Sequence, residues 1–297
     1  MGKEKIPQRM PVERRGTEMN PYRIEDIEVD LLLETIFQQY GHDFRNYGRA
    51  SIKRRVKHCM ISSGCKTVSE MIPRLLHEKA FFENIIHHFS ITVTEMFRDP
   101  HVYQGIRKQV VPILKTYPFI RAWNAGCATG EEAYSLAILL KEEGMYERTL
   151  LYATDFNDES LEKAEEGIYL SENIQRFTSN YQKAGGTNSF SEYYHARYGA
   201  AAIDPSLKKN IVFANHNLVI DNVFSEMHLI LCRNVLIYFN KSLQNRVLKL
   251  FSESLVPNGF LCLGTGENIA FSSVVEHFKP VNEKLRIFQK KHEPGGT

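Results

Sequence analysis

Residues 119–135, FIRAWNAGCATGEEAYS, constrain the fold of this 297-residue chain more than any other stretch. An apolar run, 119–123, ends at a turn of small residues that contains Gly126 and Gly130, and a helical pattern starts at Glu131. A strand, a glycine turn and a helix in this order are typical of α/β sheets whose backbone approaches a nucleotide-like ligand. The stretch therefore predicts a doubly wound sheet.

The charge at the start of that helix narrows the class of ligand. Helix N-termini that cradle phosphate offer bare N–H groups or a lysine, because phosphate is anionic. Here Glu131 and Glu132 occupy the first turn. Two carboxylates repel phosphate but suit hydroxyl groups or a positive charge, so the pattern favours an adenosyl-sulfonium ligand over ATP or NAD. Taken alone, the same pair could merely complement the helix dipole, an effect of about 0.3–1 kcal/mol.

The composition is that of a globular protein, with 43% hydrophobic residues, 24% charged residues and a formal net charge of +2. The five cysteines include no CxxC pair, which argues against a disulfide framework and a zinc site, and we expect no metal. No apolar run approaches the roughly 20 residues of a membrane span, and the N-terminus lacks the apolar core of a secretory signal. These features predict a cytoplasmic protein without membrane insertion.

Hydrophobic periodicity divides the chain into five segments. Residues 1–20 are polar and charged and are expected to form a flexible tail, 21–90 show amphipathic helical stripes, and 91–118 indicate a linker helix. From 119 to 291, strand-like and helical runs alternate, which predicts a mostly parallel sheet with helices on both faces. Residues 292–297 form a second tail.

Individual elements of the sheet domain can be placed on the sequence. The strand-like runs are 119–125, 149–154, 210–214, 227–232, 259–263 and 284–288. The helical runs are 131–143, 158–166 and 241–255. Residues 168–209 interrupt the alternation, and their tyrosines and glycines predict an inserted small antiparallel β-subdomain. No clear helix separates the last two strands, so the final strand is expected to be antiparallel.

Polar residues follow four of the predicted strands, at the edge where a doubly wound sheet binds its ligand. They are Gly126 to Glu132, Asp155, Asn217 with Leu218, and Arg233 with Asn234 and Val235. Asp155 is placed to accept hydrogen bonds from both hydroxyls of a ribose. An isolated aspartate at this position would more simply cap the helix that starts near Asp158, and Asn234 could close a turn. The joint placement of the four groups favours a ligand site.

Five motifs connect this site to a known family: TVTEMFRD (92–99), NAGCATGEEAYS (124–135), ATDFND (153–158), HNL (216–218) and CRNVLIYF (232–239). In this order they resemble the CheR family, the protein-glutamate O-methyltransferases of chemotaxis receptors. The resemblance implies an N-terminal all-α domain and a Rossmann-like S-adenosylmethionine (SAM) domain with an inserted β-subdomain. It also implies that SAM methylates receptor glutamates to methyl esters and leaves S-adenosylhomocysteine (SAH).

The resemblance also implies roles for single residues. The implied SAM-binding residues, with Gly126 added from the glycine turn, are Thr92 (often Asn in the family), Thr94, Arg98, Gly126, Glu132, Asp155, Asn217, Leu218, Asn234 and Val235. Arg98 and Tyr238 would border the reacting centre, where a guanidinium can orient the acceptor carboxylate by one oxygen and leave the other free. The ordinary alternative for Arg98 is a helix salt bridge at the surface. Glutamate is ionised at neutral pH, so no general base is needed.

A basic segment, 44–69, holds seven Lys or Arg residues and no acid. Arg45, Arg49, Lys53 and Lys57 recur every four residues, which places them on one helical face. A solvated face or a nucleic-acid patch is the alternative, but few aromatic residues interleave for base stacking, and no nucleic acid is expected. In the family, this helical domain engages the receptor's acidic helical methylation region. The residues interpreted as docking residues are Arg49, Lys53, Arg54, Arg55 and Lys57.

Three further points concern the acceptor. The tract between Tyr194 and Asn210 lacks a Gly-x-Gly loop, which resembles the family members that work without a receptor C-terminal pentapeptide tether. A SAM methyltransferase acting on RNA or a small molecule is one rival, although no D/N-P-P-Y-type motif occurs. A non-catalytic SAM-binding regulatory module is another, against which Arg98 and Tyr238 argue.

Overall fold

The structure is a computed structural model that describes residues 21–90 and 93–292. The expectations for the tail at 1–20, for Thr92 and for residues 293–297 therefore lie outside the described residues. The described helices are α1 (Pro21–Tyr40), α2 (Arg49–Ser62), α3 (Met71–His77), α4 (Lys79–Phe89), α5 (Pro100–Gly105), α6 (Val111–Leu114), α7 (Glu131–Glu142), α8 (Asp158–Glu166), α9 (Ile174–Lys183) and α10 (Lys241–Ser254). The described strands are β1 (Ile120–Ala125), β2 (Thr149–Asp155), β3 (Ile168–Leu170), β4 (Tyr194–Arg197), β5 (Ala200–Ile203), β6 (Ile211–Asn215), β7 (Met227–Cys232), β8 (Leu255–Leu263), β9 (Phe278–Asn282) and β10 (Ile287–Lys290).

Helices α1 to α4 form an N-terminal bundle with its own core. One apolar face of each helix is buried in it, represented by Leu32, Val56, Leu75 and Ile85. The all-α character expected from the amphipathic stripes is confirmed. No helix in the described part of the chain is both long and apolar enough to cross a bilayer.

The connection from the bundle to the sheet is helical but not uniform. Helix α5 passes into a π-helical turn, Ile106–Val110, which passes into α6. Pro112 stands in the first turn of α6. Proline has no N–H to donate and its ring clashes with the carbonyl four residues earlier, so a regular α-helix cannot continue through it. The single linker helix predicted from the sequence is therefore interrupted.

The central sheet has seven strands in the order β6-β2-β1-β7-β8-β10-β9. The first five pair in parallel, whereas β10 pairs antiparallel with both β8 and β9. Alternate residues of β1 face two cores: Ala122 faces the core that contains α7, and Trp123 faces the core that contains α10. The predicted doubly wound sheet with an antiparallel final strand is thus confirmed.

Several features of the sheet differ from the prediction. Strand β8 begins at Leu255 instead of 259, and α10 ends at Ser254. The last strand lies at Ile287–Lys290 instead of 284–288, because residues 283–286 form a turn. Strand β9 was not predicted, since its sequence FKPVN contains a proline and little apolar alternation. It forms an edge strand, which is where a sheet tolerates proline.

The inserted subdomain contains the expected antiparallel sheet, in the order β3-β5-β4. Helix α9 lies between β3 and β4 and was not predicted from the sequence. Glu142, at the end of α7, holds the subdomain in place: it accepts hydrogen bonds from Tyr193 Oη (3.0 Å) and Thr187 N (3.1 Å) and pairs with Arg107. The subdomain is therefore fixed to the helix that begins at the glycine turn.

Candidate functional site

A cleft of about 970 Å³ opens where β1, β2, β6 and β7 end. The predicted site residues that line it are Thr94, Arg98, Gly126, Glu132, Asp155, Asn217, Leu218, Asn234, Val235 and Tyr238. Arg55, which was interpreted as a docking residue, also lines the cleft. The carboxyl ends of parallel strands meet at one edge, and this geometry gathers residues that are far apart in sequence.

The glycine turn after β1 is tied to β2 and lies against the segment after β7. Gly126 N and Cys127 N both donate to the carbonyl oxygen of Thr154, at 2.8 and 2.9 Å. Gly126 has φ +76°, and a Cβ placed on it would lie 2.6 Å from Cγ2 of Val235. A side chain at this position would meet both a disfavoured backbone conformation and a collision.

Asp155, the last residue of β2, has its carboxylate held by backbone donors. Oδ2 accepts from Ala128 N at 2.9 Å, and Oδ1 accepts from Asn157 N at 3.1 Å. Burial raises the pKa of Asp155, and these N–H groups partly offset that rise. Asn157 is the residue that caps α8, through a 3.1 Å bond from Ser160 N, so the capping alternative for Asp155 is wrong. Each oxygen of Asp155 retains capacity for a further donor.

Of the two glutamates that open α7, only Glu132 lines the cleft. Its Oε1 accepts from Asn124 Nδ2 at 2.9 Å, and its Oε2 accepts from Arg233 Nη1 at 2.7 Å. Glu131 instead accepts from the hydroxyl of Thr129 at 2.7 Å, and burial raises its pKa. The carboxylate of Glu132 can still receive a positively charged ligand group.

The segment after β7 carries an unsatisfied acceptor. Asn234 has φ +62°, and its backbone N–H donates to Oε2 of Glu267 at 3.1 Å. Its side-chain Oδ1 is buried and has no hydrogen-bond donor among the described residues. A buried acceptor without a partner costs about 1–3 kcal/mol. The amino group of an adenosyl ligand would supply a donor, so this residue and the glycine turn fit SAM.

Two guanidinium groups line the cleft, and one of them lies over the ring of Tyr238. Arg55 is 8% exposed, donates from Nη1 to the carbonyl oxygen of Phe89, and lies 4.9 Å from the centre of the Tyr238 ring. Burial lowers the pKa of Arg55, and its Nη2 has no acceptor in the described structure. Arg98 is partly buried and donates from Nη1 to the carbonyl oxygen of Val93 at 3.3 Å. Both cations are therefore available to an anionic ligand.

The five residues interpreted as docking residues do not share one exposed face. Arg49 pairs with Asp26 (2.8 Å) and Asp30, and Lys53 pairs with Asp26 (2.5 Å). These acids belong to α1, which packs beside α2, so the sequence of α2 alone could not reveal the pairs. Arg55 faces the cleft. The remaining two, Arg54 and Lys57, are exposed, and no described acid pairs with either.

Several residues of the site were not found from the sequence. The additional lining residues include Tyr47, Phe89, Phe156, His216 and Phe239. Arg233, which was placed at the end of the fourth predicted strand, also lines the cleft, whereas Tyr47 carried no signal in the sequence. The bundle reaches the cleft through backbone bonds from Gly48 N to Tyr238 O (2.7 Å) and from Asn240 N to Asn46 O (2.9 Å). Within residues 21–90 and 93–292, no group of three or more His, Cys, Asp or Glu side chains is arranged to hold a metal ion.

Comparison with known proteins gives consistent family matches. The model of the CheR methyltransferase SAM binding domain matches residues 92–287, and that of the CheR methyltransferase all-alpha domain matches 27–90. Cher3 of Pseudomonas putida is 50% identical over 272 residues, which are 92% of this chain and 100% of Cher3. The chemotaxis protein methyltransferase of Listeria monocytogenes is 29% identical over 83% of this chain and 92% of its own length. That of Salmonella typhimurium is 28% identical over 86% and 88%.

Among solved structures, the N-methyltransferase NodS of Bradyrhizobium japonicum, in complex with SAH, is similar to this chain. The TM-score is 0.38 at 12% identity, over 67% of this chain and 89% of NodS. A score of this size carries no argument about the site.

Proposed function

Because this chain belongs to the CheR family of SAM-dependent methyltransferases, we propose that its acceptors are glutamate side chains of chemotaxis receptors, which it converts to methyl esters. Relatives from several bacteria are named chemotaxis protein methyltransferases, which supports a receptor as the substrate. The reaction would take place in the cytoplasm, on the acidic helical methylation region of the receptor.

The observation that carries this proposal is the state of Arg55. It is a buried cation whose contacts in the described structure are a backbone carbonyl and an aromatic ring. A buried charge is costly unless it is paired. Arg98 lies in the same cleft, also without a carboxylate partner among the described residues. SAM would bring one carboxylate in its amino-acid end, and a glutamate acceptor would bring the second, so that both cations are paired; a neutral base or amine would leave one of them unpaired.

The cofactor fits the strand-end residues of the same cleft. The residues that we propose hold SAM are Thr94, Gly126, Glu132, Asp155, Asn217, Leu218, Asn234 and Val235, with Thr92 and Arg98 at the same site. Asp155 is suited to the ribose hydroxyls, and Glu132 to the charged amino-acid end. When bound, SAM supplies a methyl group on a positively charged sulfur, which is a good leaving group.

The chain's own contribution to the reaction is then mainly alignment. A glutamate with an ordinary pKa near 4.3 is already a nucleophile at neutral pH, so no side chain has to remove a proton. Arg98 would hold one carboxylate oxygen and leave the second free, since pairing both would weaken the nucleophile. Tyr238 and the ring of Phe239 would limit water at the reacting centre. Holding two reactants in near-attack geometry can account for several kcal/mol of the barrier.

We also propose that the enzyme works without a C-terminal receptor tether. Strands β4 and β5 are joined by the two residues Tyr198 and Gly199, both at positive φ. This is the geometry of a tight two-residue hairpin turn. Such a turn leaves no space for the glycine-containing loop that tether-dependent relatives carry.

The test is transfer of tritium from methyl-labelled SAM to receptor-containing membranes by the purified full-length chain. Glutamate esters release labelled methanol in alkali, and N-methyl products do not. We expect alkali-labile label, and we expect Arg98→Ala to lower kcat at least about tenfold more than it lowers SAH affinity. Alkali-stable label, or tight SAH binding without any transfer to receptor, would contradict the proposal.

A further inference from the structure

Arg233 connects the residues proposed for the cofactor with those proposed for the acceptor. It follows β7, and its side chain is 1% exposed. Nη1 donates to Oε2 of Glu132 at 2.7 Å, while Nη2 donates to Oδ2 of Asp99 at 2.8 Å and to the carbonyl oxygen of Arg98 at 3.0 Å. One side chain therefore reaches the carboxylate proposed for the cofactor and the turn that presents the arginine proposed for the acceptor.

The turn that Arg233 grips is strained. Phe97 and Asp99, which flank Arg98, have φ +52° and +53°. Residues with a Cβ rarely adopt this conformation unless their surroundings impose it. Besides the bonds from Arg233, the turn is held by Phe97 N, which donates to Oγ of Ser135 at 2.8 Å. Ser135 lies one helical turn after Glu132 on α7. The start of α7 therefore supports the turn around Arg98 and also supplies the carboxylate proposed for the cofactor.

Charge keeps this arrangement in place. Burial by itself disfavours the cation, but the nearby Glu132, Tyr103 and Asp99 outweigh that effect and hold the pKa of Arg233 above its usual value. The guanidinium therefore stays charged, as arginine does in proteins. Its planar fork allows two carboxylates to be bound in fixed directions, which the single ammonium of a lysine cannot do.

We propose that Arg233 is a positioning residue with two separable arms, an inference that rests on the proposed function. The arm to Glu132 orients that carboxylate for the cofactor. The arm to Arg98 and Asp99 holds the strained turn, so that the Arg98 side chain points to the acceptor. The first arm sets affinity for SAH, and the second sets turnover through Arg98.

The experiment separates the arms with Asp99→Asn and Arg233→Lys in the full-length chain. Asp99→Asn should leave SAH affinity within about twofold and lower kcat about tenfold, because only the second arm loses its charged acceptor. In an Arg98→Ala background, Asp99→Asn should change kcat by less than about twofold, because its effect acts through Arg98. Arg233→Lys should lower both SAH affinity, measured by calorimetry, and kcat.

Arg107→Lys is the matched control, because Arg107 is also a poorly exposed arginine that bridges two carboxylates, Glu142 and Glu143, but lies outside the cleft. It should lower the Tm, and any change in kcat should be matched by an equal change in SAH affinity. Amide exchange in the turn 97–99 should accelerate in Asp99→Asn and Arg233→Lys and stay unchanged in Arg107→Lys.

Two results would overturn the inference. One is an additive loss of kcat in the Asp99→Asn and Arg98→Ala double variant, and the other is an equal loss of SAH affinity and kcat in Asp99→Asn. If the wild type bound SAH but methylated no receptor, the proposed function would fail on its own. In that case SAH affinity in Arg233→Lys would test the arm to Glu132, and amide exchange in the turn 97–99 would test the arm to Arg98 and Asp99. Unchanged values in both measurements would refute the inference.

Discussion

At Gly126 the turn after β1 meets the segment after β7. The absent side chain allows Val235 Cγ2 to occupy the space where a Cβ would stand, 2.6 Å away. Val235 in turn lines the cleft. The glycine therefore permits a positive φ, and it also allows the turn after β1 to approach Val235 closely.

Gly126→Ala should weaken SAH binding at least about tenfold, because the new Cβ must displace Val235 and strain the turn by about 1–2 kcal/mol. Gly144→Ala is the matched control: Gly144 has φ +70° but no neighbouring atom within 4 Å of a new Cβ. It should cost only the backbone strain, and therefore less stability than Gly126→Ala, and it should leave SAH affinity unchanged. Calorimetric titration with SAH and thermal unfolding measure the two quantities, and equal affinities in both variants would contradict this account.

The raised pKa of Asp155 predicts how binding depends on pH. Burial favours the protonated form, and a protonated carboxyl loses acceptor capacity. SAH affinity should therefore weaken on acidification at a pH above the ordinary aspartate value of about 3.9. The effect on stability has the opposite sign: a raised folded-state pKa stabilises the fold at low pH, and that contribution is lost as the pH rises through it.

Titrations with SAH from about pH 4, the ordinary range of aspartate, to about pH 8 would measure this dependence. Asp155→Asn should bind more weakly at the upper end of the range and show a flatter profile. A profile as steep as that of the wild type would assign the pH dependence to another group.

At the scale of elements, the segment from Asn234 to Tyr238 has little regular structure, and one side chain organises it. Glu267 accepts backbone N–H bonds from Gly264 (2.6 Å), Asn234 (3.1 Å) and Ile237 (3.3 Å). Burial raises the pKa of Glu267, and these donors counteract the rise. The turn after β8 thus anchors the segment that contributes Asn234, Val235 and Tyr238 to the cleft.

Glu267→Gln should lower the free energy of unfolding by about 1.5–3 kcal/mol, because an amide nitrogen replaces one oxygen that accepts from several N–H groups. SAH affinity should fall with it, since Asn234 and Val235 depend on this anchor. Urea unfolding and SAH titration measure the two effects. The control is Glu276→Gln, an exposed carboxylate 3.9 Å from Lys291, which should change neither. An unaffected SAH affinity in Glu267→Gln would show that the segment holds its shape without the anchor.

The sequence was sufficient for elements that follow one strong local pattern. Strands β1, β2 and β7 are compact apolar runs, and α8 starts and ends within the predicted 158–166. Helix α9 was missed because its apolar side is short, with Ile174, Phe177 and Tyr181 in an otherwise polar stretch. Strand-end residues such as Asp155 could be predicted, because parallel strands converge at one edge.

The remaining part of the site depends on contacts between distant segments. Arg233 meets Glu132 across 101 positions, and Arg55 reaches Phe89 across 34. A single sequence carries no signal for such pairs, because each partner has an ordinary local explanation. The same reason explains why the acids of α1 that pair with Arg49 could not be assigned.

At the scale of the whole molecule, the bundle forms one wall of the cleft. Tyr47 packs edge-on against Phe239, with ring centres 5.0 Å apart, and Arg55 extends from α2 into the cleft. A receptor bound to the bundle would thus lie beside the reacting centre. The exposed positive charge of α2 that remains for docking is at Arg54 and Lys57, one helical turn apart.

Reversing the charge of both residues, Arg54→Glu with Lys57→Glu, should raise the KM for receptor several-fold and leave SAH affinity and kcat unchanged, because neither lines the cleft. The difference from the wild type should shrink at high salt, since exposed charges are screened.

Arg49→Glu is the contrasting variant: it breaks the pairs with Asp26 and Asp30 that join α2 to α1, so it should lower the Tm more than it raises KM. Receptor methylation at two salt concentrations, with calorimetry for SAH, measures all of these. An unchanged KM in the double variant would exclude this face of α2 as the docking surface and leave the cleft chemistry untouched.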